Sequence, residues 1–466
     1  MIFFYGLLIV WIVFFELFRK KDVFVDFLSI FNLFFLLNYI LVPFVYLLSP
    51  ENHDFWKFLK AQNEATNSWI VLLSIYISYI LIVSGFLIGQ KLKISNKVNI
   101  VQKYSFNSEF KLYVLLFLVL ITFVFLYSLG YGGIFKLISL GQEIRAGNIS
   151  GGITDYFSYI AIGILILPIF FYSAYLYSHE SKTRKKALVY FIITFIVALI
   201  YGLGTGGRGN TGILVIYLFI IWLNYNGNKI TIKKIFFLSL LVIFVVFMIV
   251  YGRTAIVAMS TFGTNDSYME AFISHSQKYN RQSATEGIEN LILILKHMDH
   301  PFASLYPVIY NNELYEYPRL FLDYPRALVS LIPGIRLPEV FISSMPAELN
   351  NIYFNSLDSR IVGYNPVGWI GLKLLNGGFV WLVIGTFIAG MVGGVLNRIL
   401  IRNLHVSIFM PAIFLYVLLY WHKYILGTEG TEFVFGHLRE SLYMMSFYFL
   451  YKIFKVSEKK EKTNAN

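Results

Sequence analysis

Residues 68–90 have the sequence SWIVLLSIYISYILIVSGFLIGQ, which contains no charged side chain, and Lys91 follows directly. A stretch of about 20 apolar residues is long enough to cross the hydrocarbon core of a bilayer as an α-helix. The same pattern recurs along the chain, which has 466 residues, 57% of them hydrophobic and only 14% charged. This composition excludes a soluble domain and predicts an all-α, polytopic integral membrane protein.

Hydropathy predicts about 11 transmembrane helices. They cover residues 1–18, 25–48, 68–90, 112–129, 155–177, 188–204, 211–225, 235–252, 376–396, 407–427 and 438–454. Lysine clusters follow the first, third, fifth, seventh and last spans, so the positive-inside rule places the N-terminus outside and the C-terminus in the cytoplasm. The first span has no basic n-region and no small-residue cleavage site, which predicts a retained helix rather than a signal peptide.

The chain is expected to form one membrane-embedded domain, residues 1–466, with a basic cytoplasmic tail at 455–466. One connection, residues 253–376, is far longer than the others, and the alternation places it outside as a cap over the helical bundle. The net charge of +12 comes largely from short lysine clusters between apolar runs, which argues against nucleic-acid binding. Cysteine is absent, which excludes disulfides and thiolate metal sites.

The arginines are distributed between the two predicted membrane faces differently from the lysines. Seven of the twenty-five lysines fall on the predicted outer face, compared with nine of the thirteen arginines. Those nine are Arg145, Arg208, Arg253, Arg281, Arg319, Arg326, Arg336, Arg360 and Arg439. A guanidinium group binds phosphate or carboxylate with two parallel hydrogen bonds, so this distribution predicts an anionic substrate at the outer face.

The small-residue turn GLGTGGRGNTG, residues 202–212, carries Arg208 in the predicted outer hairpin between spans six and seven. Glycines there let the backbone approach an anion closely. The alternative is a turn whose small residues only pack two helices together. The spacing does not match a Walker phosphate-binding loop.

A second cluster lies in the long outer loop. The run PRLFLDYPRALVSLIPGIRLPE, residues 318–339, carries Arg319, Arg326 and Arg336 without a lysine. These side chains either contact substrate or extend to lipid headgroups at the interface. Arg253, at the end of span eight, and Arg360 are further candidates, although Arg253 equally fits a role as a membrane anchor.

Candidates for acid–base chemistry are scattered. His422 lies near the predicted outer end of span ten, and Glu348 and Asp358 are among the carboxylates nearest to the loop arginines. The sequence HMDH at 297–300 lacks a second acidic cluster, so no metal site is expected.

Four tracts resemble the Wzy-type O-antigen and capsular polysaccharide polymerases, also called oligosaccharide repeat-unit polymerases. They are GGIFKLISLGQEIRAG at 132–147, GTGGRGN at 204–210, DYPRALVSLIPGIRLPEVF at 323–341 and NPVGWIGLKLLNGGFVWLVIGTFIAG at 365–390. The tracts themselves cover a minority of the chain. The predicted topology, with its large outer loop before the last three spans, extends the resemblance to nearly all of it.

The resemblance implies a cofactor-free glycosyltransferase in the bacterial cytoplasmic membrane, with its active site on the extracytoplasmic face. It would transfer a growing glycan from undecaprenyl diphosphate onto a second lipid-linked repeat unit, making O-antigen or capsular polysaccharide. The donor and acceptor lipids, the bilayer and a chain-length regulator protein are then the expected partners. The diphosphates would be bound by Arg145, Arg208, Arg253, Arg319, Arg326, Arg336 and Arg360. The general base would be His422, Glu348 or Asp358.

Three alternatives remain on the sequence alone. An O-antigen ligase has the same topology and arginine usage but transfers finished polymer to a lipid A core. A non-catalytic flippase or exporter of the same lipids would need charged residues along a midplane cavity, and the predicted spans carry almost none. A scaffolding membrane protein without catalysis would leave the long outer loop unexplained.

Overall fold

The computed structural model describes residues 1–48, 59–92, 106–145, 151–204, 208–227, 300–310, 367–404 and 409–426, together with residues 231, 236 and 240. Within these ranges all regular secondary structure is helical. The N-terminal helices are α1 (Ile2–Phe18), α2 (Phe27–Phe35), α3 (Val42–Leu48), α4 (Leu59–Asn67) and α5 (Trp69–Lys91). A π-helical segment, Leu36–Leu41, joins α2 to α3, so the two continue as one span.

The following helices are α6 (Phe106–Leu129), α7 (Ile134–Arg145), α8 (Asp155–Ala161), α9 (Leu167–Tyr177), α10 (Ser181–Gly204) and α11 (Arg208–Tyr225). Two short helices come next, α12 (His300–Ala303) and α13 (Leu305–Tyr310). The last described helices are α14 (Gly368–Arg402) and α15 (Met410–Leu426).

Five segments of the described chain are long and apolar enough to cross a membrane. They are Phe27–Leu48, Trp69–Lys91, Phe110–Leu129, Ser181–Gly202 and Gly368–Arg402. Shorter apolar helices lie at Ile2–Phe18, Ile162–Tyr177 and Leu214–Tyr225. These segments confirm an all-helical, multi-pass membrane protein, while the number of eleven spans and the sides of the two termini stay predictions. Predicted spans 235–252 and 438–454 fall outside the described residues, apart from residues 236 and 240.

The described helices form two compact units. The first contains α1–α5, α12–α14 and α15 from Tyr416 onward, and the second contains α6–α11 and α15 up to Leu415. The single membrane domain predicted from the sequence stays a prediction.

The core of the first unit is the packing of α5 on α14, where glycines of both helices interlock. A Cβ atom built on Gly85 would collide with the carbonyl oxygen of Phe387, and one on Gly390 would collide with that of Ile82. Only glycine allows backbones to approach this closely, which is how small residues pair helices in membranes. Positions 82 and 86 face 390 and 394, so the two helices run parallel. The lysine alternation assigns the same direction to both.

A charged cluster joins α1 to α2. The Arg19 guanidinium donates to Glu16 (Nε to Oε2, 2.8 Å) and to Asp26 (Nη1 to Oδ2, 2.6 Å). Asp26 also caps α2 by accepting from the Ser29 amide, and Asn32 donates to Glu16 over 2.8 Å. Burial disfavours the Arg19 charge, but Asp26 and Glu16 more than offset this and raise the guanidinium pKa above its ordinary value. Arg19 therefore stays charged inside the hairpin.

The predicted span 155–177 is broken in the structure. The helix α8 passes into a 3₁₀ segment, Ile162–Leu165, before α9 begins with Pro168 in its first turn. Proline has no backbone N–H to donate to the preceding turn, which interrupts the α-helical hydrogen-bond ladder. Hydropathy predicted the apolar run correctly but carries no information about this interruption.

Residues 367–376, including the start of α14, are all buried, whereas Phe379 and Val380 just beyond them are exposed. Gly377 and Gly378 separate the two parts with non-helical backbone angles, and the φ of Gly378 is +67°. The positive φ requires a residue without a Cβ atom. The lipid-facing part of α14 therefore begins at about Gly378, close to the predicted boundary at 376.

Candidate functional site

The candidate site in the second unit begins at the end of α10. Gly204 lies against α7: a Cβ atom built there would be 2.9 Å from Cγ of Leu137. Arg208 is the first residue of α11, four positions after Gly204. The helix α10 thus ends beside α7, and the backbone of Arg208 begins the next helix.

A glycine turn sets the direction of α7. Gly133 has a φ of +108°. Its backbone amide donates to the carbonyl of Ser128 over 2.9 Å, a hydrogen bond that caps the end of α6. Next to it, Gly130 leaves room for the side chain of Thr154, which a Cβ atom would strike. The helix α7 follows this turn and ends at Arg145.

Tyrosines hold the end of α10 in place. The Tyr201 hydroxyl donates to the carbonyl of Ser158 in α8 over 2.9 Å. The ring of Tyr127 in α6 lies 6.1 Å from that of Tyr201. Both contacts lie within one helical turn of Gly204, so neighbouring helices hold the end of α10 in place.

Arg145 therefore ends α7 and Arg208 begins α11, and both of these helices pack on α10 in the second unit. The amino end of α11 adds the partial positive charge of the helix dipole beside Arg208. Gly204 packs on α7, and anion binding at Arg208 stays a prediction.

The remaining candidates of the long loop lie outside the described residues. They are Arg253, Arg319, Arg326, Arg336, Arg360, Glu348 and Asp358. Their roles stay predictions.

His422 lies on α15 in the first unit. Its ring centre is 4.2 Å from that of Phe34, and the neighbouring Trp421 donates from Nε1 to the carbonyl of Ala389 over 2.9 Å. The Trp421 ring also lies 5.5 Å from Phe27, the first residue of α2, and 6.3 Å from Phe86 near the end of α5. The lysine alternation assigns both helix ends to the cytoplasmic side.

On that topology His422 belongs to the cytoplasmic half of the first unit. The position of His422 near the outer boundary stays a prediction. Hydropathy locates a helix but not the depth of one residue within it.

Lys373 is a candidate that sequence reasoning missed. It is the one charged residue between Arg360 and Arg398, and its side chain is only 9% exposed. Its ammonium nitrogen lies 5.4 Å from the centre of the Trp381 ring. An ionisable residue inside an apolar run is a functional candidate by default, and that sequence signal was present.

The fold and these sites define a multi-pass membrane protein with arginines at the ends of α7 and α11 and a buried lysine in α14. A family model described as O-antigen polysaccharide polymerase Wzy matches residues 1–312. This match covers more than half of the chain, so the protein belongs to that family and the resemblance seen in the sequence is confirmed. The match includes Arg145, Arg208 and Arg253 and ends before the arginines at 319–360. Searches of curated proteins and of solved structures gave no match.

Proposed function

We propose that the chain is a glycosyltransferase that polymerises undecaprenyl-diphosphate-linked repeat units at the outer leaflet of the bacterial cytoplasmic membrane. The product is O-antigen or capsular polysaccharide. The observation that carries this proposal is the family match, within which Arg145 ends α7 and Arg208 begins α11, two helices that both pack on α10.

The reaction exchanges one C–O bond for another. A hydroxyl of the acceptor sugar attacks the anomeric carbon of the donor glycan, and the bond from that carbon to the diphosphate breaks. The hydroxyl proton passes to a general base, and undecaprenyl diphosphate leaves with the bonding electrons. Because negative charge grows on the leaving diphosphate, preorganised guanidinium groups stabilise the transition state more than the bound substrate.

The proposed diphosphate ligands are Arg145, Arg208, Arg253, Arg319, Arg326, Arg336 and Arg360, and the proposed bases are Glu348, Asp358 and His422. The packing of His422 beside Phe34 and Trp421 favours Glu348 or Asp358 for an outer-leaflet reaction. A chain-length regulator protein would act on this polymerase as a separate partner.

Reconstitution tests the proposal directly. Purified protein in liposomes, supplied only with a lipid-linked repeat unit, should convert it into a ladder of longer lipid-linked chains. A ligase would leave the repeats unjoined and transfer them only when a lipid A core is added. A flippase would move the repeats across the bilayer without lengthening them. Either of these two results would contradict a polymerase.

A further inference from the structure

An exposed pair of aromatic rings lies on α13. Tyr306 and Tyr310 are one helical turn apart, and their ring centres are 4.5 Å apart. The opposite face of this short helix, with Leu305, Pro307 and Val308, is buried in the first unit. Tyr310, by contrast, is 48% exposed. The tyrosine pair therefore presents an aromatic surface to the surroundings of the protein rather than to its core.

The ring of Tyr310 is held in place although it is exposed. Its hydroxyl lies 3.3 Å from that of Ser68, within hydrogen-bonding distance. Ser68 is itself fixed, because it caps α5 by accepting from the amide of Val71. Tyr306 packs beside the ring from the preceding turn. A side chain whose conformation is set in advance loses little entropy when a ligand binds, which favours binding.

The tyrosine pair lies where the protein surface changes from polar to apolar. The helix α13 packs on α4. The exposed residues described on α4 are all polar, namely Lys60, Asn63 and Asn67. The first two residues of α5, Trp69 and Ile70, are exposed and apolar, as expected for contact with lipid. Ser68 lies between the two surfaces, so the Tyr310 hydroxyl lies at the boundary of the bilayer.

The packing of α13 on α4 also bears on the side of the membrane. The lysine alternation predicts the outer side for the connections that contain them, residues 253–376 and 49–67. Two short helices in contact lie on one side of the membrane, as both predictions require. A sugar attached through a diphosphate to a polyprenyl chain lies just above the bilayer, because the chain anchors it there. The tyrosine pair is at the same level.

A pair of exposed amides precedes Ser68 on α4. Asn67 donates from Nδ2 to the backbone oxygen of Asn63 over 3.0 Å and to its Oδ1 over 2.9 Å. Both residues are exposed, so the Oδ1 of Asn67 can accept a hydrogen bond from a ligand and the Nδ2 of Asn63 can donate one. Sugar hydroxyls donate and accept, and the C–H face of a pyranose packs on the electron-rich face of an aromatic ring. The ring and the amides together therefore fit a sugar.

We propose that Tyr306, Tyr310 and Asn67 form a sugar-binding surface, which holds the glycan of a lipid-linked repeat unit at the outer bilayer boundary. This inference rests on the proposed polymerase function and adds to it a site for the sugar, built from elements of the first unit alone. No covalent bond changes at this surface. It binds and orients the glycan, and the aromatic ring favours sugars with a continuous C–H face.

The test measures binding to the purified full-length protein in nanodiscs. The probe is the free repeat-unit oligosaccharide, prepared by partial hydrolysis of the polysaccharide from cells that make this protein, so it contains neither lipid nor phosphate. Tyr310→Ala should weaken binding about fivefold, as expected for the loss of one aromatic contact. Tyr310→Phe keeps the ring and should stay within about twofold of wild type.

Tyr225→Ala is the matched control. Tyr225 is 44% exposed and its ring centre lies 5.1 Å from that of Tyr177, but the lysine alternation predicts that it lies on the cytoplasmic side. This variant should bind the oligosaccharide like wild type. Asn67→Ala tests the amides independently at an exposed position, and should weaken binding about threefold because one hydrogen bond is lost.

A sugar-free lipid distinguishes contact with the glycan from contact with lipid. Undecaprenyl diphosphate should bind equally to wild type and Tyr310→Ala. If Tyr310→Ala loses as much affinity for this lipid as for the oligosaccharide, the ring contacts lipid and the proposal is overturned. It is also overturned if wild type does not bind the oligosaccharide, or if Tyr310→Ala or Asn67→Ala binds it as tightly as wild type.

A purely structural role for Tyr310 predicts a different pattern. Tyr310→Ala would then lower the thermal unfolding temperature, and its folded fraction would bind the oligosaccharide like wild type. If wild type polymerises repeat units and Tyr310→Ala binds the oligosaccharide equally well, this inference fails while the proposed function stands. If wild type does not polymerise but binds the oligosaccharide through Tyr310, the proposed function fails and the sugar-binding surface remains.

Discussion

At the scale of the residue, Arg208 is the most informative position, because it begins α11 four residues after the end of α10, which neighbouring tyrosines hold in place. Arg208→Ala should reduce long-chain polymer about 10- to 100-fold, the loss expected for a charge-assisted contact to a phosphate. Arg208→Lys should retain an intermediate amount, since lysine keeps the charge but not the forked geometry. The measurement is the chain-length distribution of the polysaccharide at equal protein levels in the membrane.

Arg184 provides the control for Arg208. It is an exposed arginine that stacks on Tyr175 at 4.9 Å, on the side of α10 predicted to face the cytoplasm. Arg184→Ala should leave the polymer unchanged. Wild-type polymer in correctly inserted Arg208→Ala would rule out a role for this guanidinium in the transfer.

Arg19 allows a prediction about stability rather than activity. Arg19→Met leaves Asp26, whose side chain is 2% exposed, and Glu16 without their main counter-charge. Removing one partner of a buried ion pair costs about 3–5 kcal/mol. Denaturant or thermal unfolding in detergent should show this loss, and Lys20→Met, an exposed neighbour, should stay within about 0.5 kcal/mol of wild type. Equal stability of the two variants would show that the cluster does not hold the α1–α2 hairpin.

The sequence predicted site residues unevenly. The lysine counts predict that Arg145 and Arg208 lie on the outer side, and the helices that carry them both pack on α10. The contact of His422 with Phe34 could not be predicted, because it depends on how α2 and α15 pack together. Lys373 was overlooked because window-averaged hydropathy conceals one charge among apolar neighbours, and its burial only emerges when α2 and the π-helical segment pack beside α14.

At the scale of the element, the packing of α5 on α14 allows a prediction about thermal stability. Gly85→Ala should lower the thermal unfolding temperature, because the new Cβ would meet the Phe387 carbonyl and the Met391 amide, which are backbone atoms that cannot rotate away. Gly212→Ala is the matched control: a Cβ atom there meets nothing within 4 Å. It should leave the unfolding temperature unchanged or raise it slightly, since alanine favours a helix over glycine. The same decrease in both variants would contradict close packing at Gly85.

Helix positions were largely predictable from apolar run length. The predicted span 68–90 became Trp69–Lys91, and 1–18 became Ile2–Phe18. The interruptions within the helices could not be predicted from the length of the apolar runs. The π-helical turn at Leu36–Leu41 and the glycine break in α14 arise from hydrogen-bond register and backbone angles, to which hydropathy is insensitive.

At the scale of the whole molecule, the membrane topology is open to a direct test, because the chain contains no cysteine. Single cysteines introduced as Lys60→Cys and Lys182→Cys lie on exposed positions of α4 and α10. In intact spheroplasts a membrane-impermeant maleimide should label position 60 and leave 182 unlabelled until the membrane is opened. The reverse pattern would invert the topology and place the arginines in the cytoplasm.

The parallel interlock of α5 and α14 also has a consequence for how the protein is made. The glycines that meet are separated by roughly 300 residues of chain. At about 5–20 residues per second, translation needs roughly 15–60 s to reach α14 after α5 has been synthesised. During that interval the glycine face of α5 has no permanent neighbour, so lipid or the insertion machinery must cover it. Biogenesis of this protein therefore requires α5 to remain without its partner helix until α14 has been synthesised. Slower translation would lengthen this interval.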